Sequence, residues 1–365
     1  MSGNVLASAG RGSIQDEAAV RLDSSLERLE PLLPDALMAP GSLPRIRQAA
    51  GFFPVFAVDF FGFECRLGSG PPGLPDCALN LTPDGARLLA GRHPMDLSGE
   101  LGNGAWSRLR GFYQQWGDTR QPAYADAGCT WLELDTSAGA PAPNLLFGYW
   151  PRTPDSQRSP EWLADTILPL LLGRPPAPRL RHNLLHCLEA CPPEAGDFQI
   201  GFMLSRPVQA VRLCLFDLPP GEVFPYLERI GWGGSRDELG RYLEAFRPHA
   251  DFVGLHLDIG EEIYPHAGVE PNFNAGCWTR QPQTEPRWHG QLEQLLELGL
   301  MTEEQRRALL GWTGHDKVVL EGRSFLLLRG LSHVKVVLRP GSRPLAKAYF
   351  GIAHRPLDAS AGSAS

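Results

Sequence analysis

The stretch "SHVKVVLRPGSRPLAKAYFG", residues 332–351, reads as a β-hairpin with two lysines built into its strands. Strand side chains alternate between faces, so His333, Lys335 and Val337 share one side while Val334, Val336 and Leu338 share the other. In the returning strand Lys347, Tyr349 and Gly351 fall together, opposite Ala346, Ala348, Phe350 and Ile352. The Pro-Gly-Ser-Arg-Pro turn makes Lys335 and Lys347 cross-strand neighbours. One face is greasy and the other basic, so the basic face meets bulk water or lines a wet cavity.

The same alternation runs through the rest of the chain. "TWLELDTS" puts Trp131, Glu133 and Asp135 opposite Leu132 and Leu134. "AVRLCLFDL" puts Arg212, Cys214 and Phe216 opposite Val211, Leu213 and Leu215. "FVGLHLDIG" puts Gly254, His256 and Asp258 opposite Val253, Leu255, Leu257 and Ile259, and Asn80 of "CALNL" opposes Leu79 and Leu81. The strands come in pairs followed by one or two helices ("SPEWLADTILPLLLG", "HNLLHCLEAC", "GEVFPYLERIG", "SRDELGRYLEAF", "WHGQLEQLLELG", "TEEQRRALLGW"). That unit recurs about five times and implies an antiparallel sheet with helices on one side. "TPDGARLLAG" reads as a short helix capped by Thr82. A sheet of about ten strands tends to curl or close. With helices outside, the second face becomes a solvent-filled lumen. The expected fold is therefore α+β: an antiparallel β-barrel of about ten strands built from repeated ββα units. "VFAVDFFGF", apolar on both faces, fits it least well.

Bulk numbers narrow the function. The chain has 365 residues, 43% hydrophobic and 21% charged, the balance of a soluble globular protein with a sizeable core. A net charge of -7 argues against nucleic acid as the main partner, because phosphate backbones need a basic surface. The longest apolar run, "TILPLLLG", is too short to cross a membrane. The N-terminus lacks the basic-then-apolar pattern of a secretory signal. Seven scattered cysteines suggest free thiols, so a cytoplasmic protein is expected. Residues 1–50 read as a tail and helical lead-in, 51–355 as one barrel domain, and 356–365 as a small polar tail.

A ten-stranded antiparallel barrel ringed by helices, made of helix-strand-strand-helix units, resembles the aromatic prenyltransferases of the dimethylallyltryptophan-synthase type over roughly residues 50–355. "LAKAYF" supplies a Lys-x-Tyr pair, Lys347 and Tyr349, of the kind those enzymes use on lumen-facing strands to hold the donor's diphosphate. The equivalent strand of the third unit carries Arg212 followed by Cys214, and "NLLFGYW" carries no basic residue. The resemblance implies prenyl transfer from an allylic diphosphate to an aromatic small molecule or a peptide side chain. It leaves room for Mg²⁺ and requires no other cofactor.

Such chemistry needs cations for the leaving diphosphate, for which Arg212, Lys335, Lys347 and the Tyr349 hydroxyl are the candidates. It needs aromatic walls around the allylic cation, for which Trp131 and Phe216 stand. It also needs a carboxylate or imidazole to orient the nucleophile and take its proton. Glu133 is the first choice, with His256 and Asp258 on the same face. The plainer readings are lysines paired with Glu133 or Asp258 to keep the lumen hydrated, Tyr349 as a core tyrosine, and Asp135, Asp217 and Asp258 as turn caps. Two other functions stand beside transfer. One is a non-catalytic peptide- or ligand-binding scaffold in a biosynthetic pathway. The other is a metal enzyme, which requires three of Glu133, Asp135, Asp258 and Glu262 to meet. His182, His186, Cys187 and Cys191 share a helix but diverge around it. "EEIYPHAGVE" reads as a solvated acidic turn, and "GWGG" as a helix stop.

Overall fold

In a computed structural model of the chain, residues 20–97, 99, 101, 104–116, 130–136, 143–149, 159–192, 195, 198–204, 210–216 and 218–357 are described. Asp217 and the two terminal tails lie outside them. The strands are β1 (Val58–Arg66), β2 (Asp76–Leu81), β3 (Thr130–Leu134), β4 (Pro143–Tyr149), β5 (Phe198–Phe202), β6 (Val211–Leu215), β7 (Phe252–Ile259), β8 (Ile263–Asn272), β9 (Gly314–Leu320), β10 (Arg323–Leu338) and β11 (Leu345–Pro356). Each of β1 to β7 pairs antiparallel with the next. β8 then pairs with β10, β10 with β11, and β11 with β1. Ten strands therefore close on themselves, and closure removes the edges an open sheet would expose. β9 stands outside the ring, paired with the first half of β10.

The helices are α1 (Leu22–Leu29), α2 (Ser42–Ala50), α3 (Pro83–Leu89), α4 (Ala105–Trp116), α5 (Pro160–Trp162, continuing through a π turn into Leu168–Leu172), α6 (Pro178–Glu189), α7 (Val223–Arg229), α8 (Arg236–Phe246), α9 (Arg287–Glu297) and α10 (Glu303–Trp312). They pack on the outer face of the barrel. The outward members of the alternating strands, such as Leu79, Leu132, Phe147, Leu213, Leu257 and Val336, are wholly buried in one core shared with the helices. The lumen carries its own small apolar cluster, Leu146, Met203 and Cys214, with Trp131 and Phe216 against it. Thr82 caps α3 as its sequence implies, accepting from Gly85 N at 3.0 Å. Thr302 and Gln305 form a reciprocal capping box on α10.

The hairpin pairs as read, with Lys335 opposite Lys347. "SFLLLRG" and the hairpin's first strand are one 16-residue strand, β10, with a bulge between Leu331 and His333. "EEIYPHAGVE" belongs largely to β8 rather than to a turn. His266, Gly268 and Glu270 point into the lumen while Ala267 and Val269 join the core, and an inward face this polar imitates a solvated loop. β9 and α4 have no counterpart in the sequence reading. Most of "GHDKVVL" is exposed, so β9 lacks the apolar face that marks a strand. The doubly apolar β1 also has its reason. Phe61 and Phe63 face the core, whereas Phe60 lines the lumen against Trp131 and Trp278, at ring distances of 5.7 and 5.6 Å. Among the described residues no helix is long and apolar enough to cross a membrane.

Candidate functional site

A continuous register places the lumen groups. Phe60 lies opposite Asn80, then Trp131, Leu146, Gly201, Arg212 and Asp258 in turn around the wall. Because barrel strands tilt, this row descends as it goes round. It starts among aromatic rings and ends among charges. A cavity of about 350 Å³ occupies the lumen, lined by Phe60, Trp131, Glu133, Arg212, Phe216, Phe252, His256, Glu270, Arg280, His333, Lys335 and Tyr349 among others. A smaller recess adjoins it, lined by Glu64, Asp76, Glu133, Asp135, Asn144, Arg212 and Lys347. Glu133 and Arg212 face both spaces. Lys347 faces the recess rather than the main cavity.

The cations are held in three different ways. Arg212 makes a two-pronged contact with Asp258, Nε to Oδ1 at 2.7 Å and Nη2 to Oδ2 at 2.9 Å. His266 Nε2 adds a third contact to Asp258 at 2.8 Å. Burial opposes the Asp258 charge, yet His266 and Arg212 together hold its carboxyl far below the usual range. Lys347 pairs with Glu64. Burial again opposes the carboxylate, but Lys347 and the Tyr349 hydroxyl bring Glu64 down to about 2. A lysine so placed is part of the wall: Lys347→Ala would strand a buried carboxylate.

Lys335 has a neutral partner instead. Its Nζ lies 2.8 Å from His256 Nδ1, and Cys214 Sγ lies 3.0 Å from the same nitrogen. His256 Nε2 is 2.9 Å from Glu270 Oε2, and Asn272 Nδ2 donates to Glu270 Oε1 at 3.1 Å. Gly268 makes the Lys335 approach possible, since a Cβ there would lie 2.7 Å from Lys335 Cε and 3.0 Å from His256 Cβ. Burial, reinforced by the Lys335 charge, lowers His256 to about 4. The imidazole therefore stays neutral and accepts from the ammonium. Burial and the neighbouring Arg212 also lower Lys335, so an arriving anion would favour its charged form.

Glu133 is distinct among the acids. It makes no ion pair with any described residue, and it faces the cavity beside Trp131. Burial and the Glu64 charge raise its carboxyl, against the pull of Arg212, Lys335 and Lys347. Glu133 shares the main cavity with Arg212 and Lys335 and the recess with Arg212 and Lys347. Tyr349, opposite Glu64, stacks on His333 with ring centroids 4.0 Å apart. Phe216 packs edge-on to His256 at 5.7 Å and to Phe252 at 6.5 Å.

Glu64, Glu270, His333, Trp278 and Arg280 belong to the site and were not assigned to it from sequence. Alternation alone places Glu64 on the face of Phe60 and Gly62. Trp278 and Arg280 lie beyond such a signal, because they come from the short turn after β8. There Gln281 imitates a ladder partner at the β10 bulge, donating to Leu331 O at 2.9 Å and accepting from Leu331 N at 2.7 Å. Trp278 packs against Gly330, where a Cβ would meet its ring at 2.8 Å. Among the described residues no three His, Cys, Asp or Glu side chains are placed to share a metal ion. The acids proposed for a metal site disperse, with Glu262 exposed at the β7–β8 turn. His182 and His186 stack on each other, at 6.2 Å, while Cys187 and Cys191 are buried.

Buried histidines give the fold an acid-sensitive range. His256 and His354, the latter bonded to Ser25 Oγ at 2.7 Å, are each lowered to about 4, mainly by burial. Their unfolded forms titrate near pH 6.5. The stability they contribute is complete above that value and lost as pH falls through 6.5 towards 4, by up to about 3 kcal/mol each. Glu64 adds a loss below its unfolded range near pH 4. Asp76 works oppositely, since burial raises it to about 6 and its ionisation costs stability as pH rises. Glu133, also raised, works with Asp76, and His333, also lowered, works with the other histidines. Three histidines outweigh two acids, so Tm should fall between pH 7 and 5, and His354→Gln should flatten that fall. A Tm that climbs on acidification over this range would show Asp76 in control.

The chain matches no family model and no curated protein. Among the solved structures that resemble it are two of the prenyltransferase PriB. One is the apo form, 14% identical with a TM-score of 0.48, covering 95% of this chain and 99% of that one. The other is the PriB binary complex with product diphosphate, 14% identical with a TM-score of 0.49, covering 90% and 95%. The likeness is distant and is one of fold.

Proposed function

We propose that the barrel transfers a prenyl group from an allylic diphosphate to an electron-rich acceptor, an aromatic small molecule or a peptide side chain. The observation that carries this reading is that Arg212, Lys335 and Lys347 line the cavity and recess that Glu133 faces, together with a wall of Phe60, Trp131 and Phe216. Ionisation of an allylic diphosphate separates a delocalised carbocation from a diphosphate anion. Ammonium and guanidinium groups stabilise the second. The faces of aromatic rings stabilise the first, and the enclosing wall keeps water from capturing it. The acceptor forms the new bond to the allylic carbon, and Glu133, raised above the usual carboxylate range, takes the proton it releases. Binding the diphosphate draws mostly on Lys335, whose partner is a neutral imidazole. Arg212 and Lys347 are already matched by Asp258 and Glu64, so they set the field and the shape of the floor.

That same matching favours a second reading, a ligand-binding barrel without catalysis, in which paired charges keep the lumen hydrated. Turnover separates the two. The protein is incubated with dimethylallyl, geranyl or farnesyl diphosphate and a panel of indoles, phenols and Tyr- or Trp-containing peptides, with products read by mass spectrometry. Transfer predicts an acceptor heavier by the corresponding prenyl unit, together with released diphosphate. Donor binding with no modified acceptor across the panel would leave the scaffold reading.

A further inference from the structure

The lumen cations differ in one respect that the sequence does not disclose. Arg280, on the turn that follows β8, lines the main cavity and has no carboxylate partner among the described residues. Its Nη1 donates to Phe273 O at 3.0 Å and its Nη2 to Ser332 O at 3.2 Å. Its Nε is buried with no acceptor. Carbonyl oxygens fix the position of a guanidinium without cancelling its charge. Along β10 from Ser332 come His333 and then Lys335, whose own partner is the neutral His256. Two cations with no carboxylate bonded to them among the described residues therefore flank His333; burial and both cations lower its pKa, while Glu270, 3.6 Å from its Nε2, opposes them. The other two lumen cations are matched by carboxylates: Arg212 by Asp258, and Lys347, in the adjoining recess, by Glu64.

From this arrangement we propose that the lumen holds an oxyanion seat between Arg280 and Lys335 on the Ser332–Lys335 wall, so that Arg280 is a binding residue. The shared chemistry is a phosphoryl or carboxylate oxygen. Two sources supply it, the donor's diphosphate or a carboxylate of the acceptor. The inference rests on the prenyl-transfer reading only for the choice between them. Gln281 acts as a positioning residue, since its paired contacts to Leu331 hold the turn that carries Arg280.

Titration calorimetry of the full chain with inorganic diphosphate and, separately, with N-acetylglycine tests this. Arg280→Gln should weaken the bound anion about tenfold or more, the size expected when one charge-assisted contact is lost. Arg280→Lys should retain part of the affinity, and thermal unfolding of both variants reports that the fold is kept. Arg280-dependent binding of diphosphate supports the seat and assigns it to the donor. Arg280-dependent binding of the carboxylate alone supports the seat and assigns it to the acceptor. Diphosphate binding equal in wild type and Arg280→Gln overturns the seat while leaving prenyl transfer standing. Absence of binding by either probe to the wild type overturns both.

Discussion

Asp258→Ala should lower the unfolding free energy by about 3 kcal/mol, because removing one partner of a largely buried ion pair leaves the other charge uncompensated. Arg212 and Asp258 are bonded at two points, and their side chains are only 19% and 14% exposed. The substitution also releases Arg212 into a cavity that it already lines. Stability and anion affinity should therefore move in opposite directions: the variant melts earlier yet binds inorganic diphosphate more tightly. Chemical denaturation and calorimetry measure the two effects separately. A loss below about 1 kcal/mol would place the pair in the energetic class of exposed surface bridges. Unchanged affinity would mean that Arg212 does not reach the anion.

Glu133→Gln should reduce product formation by about a hundredfold to ten-thousandfold, the range over which a positioned general base acts. Donor binding should persist, and it should tighten if anything, because the amide no longer opposes the diphosphate. The fold should be at least as stable as before. Glu133 has no ion pair to lose among the described residues, and the replacement removes a carboxylate whose burial is unfavourable. The pH profile follows from the same environment. Glu133 must be ionised to accept a proton, and its carboxyl is raised, so activity should climb with pH through an inflection above the ordinary carboxylate range near 4.3. Full activity in Glu133→Gln would move the base elsewhere in the lumen, with His256 and Glu270 next to be tested.

Much of this was legible in the sequence because closure converts a two-residue period into an inside and an outside. Leu132 and Leu134 against Trp131, Glu133 and Asp135 state that division, and so does the hairpin that sets Lys335 against Lys347. What escaped has identifiable causes. The first half of β8 escaped, and its second half, near "GVEPNFN", reads only as a weak strand, because His266 and Glu270 look solvated when their true neighbours, Asp258 and His256, lie on another strand. The pairing of each cation escaped because partnership depends on register around the whole ring. Glu64, the partner of Lys347, lies 283 positions away from it in sequence. Arg280 escaped because it stands on a turn, where no periodicity marks direction. The β10 bulge, which resets the alternation between Leu331 and His333, has no signature in "RGLSH".

The central claim is that a walled lumen lined by cations receives the diphosphate of an allylic donor. Calorimetric titration with dimethylallyl, geranyl and farnesyl diphosphates at two salt concentrations tests it most directly. The account predicts saturable binding of at least one donor, with one site per chain, weakened by salt and accompanied by a rise in Tm. No heat of binding and no change in Tm with any of the three would contradict it.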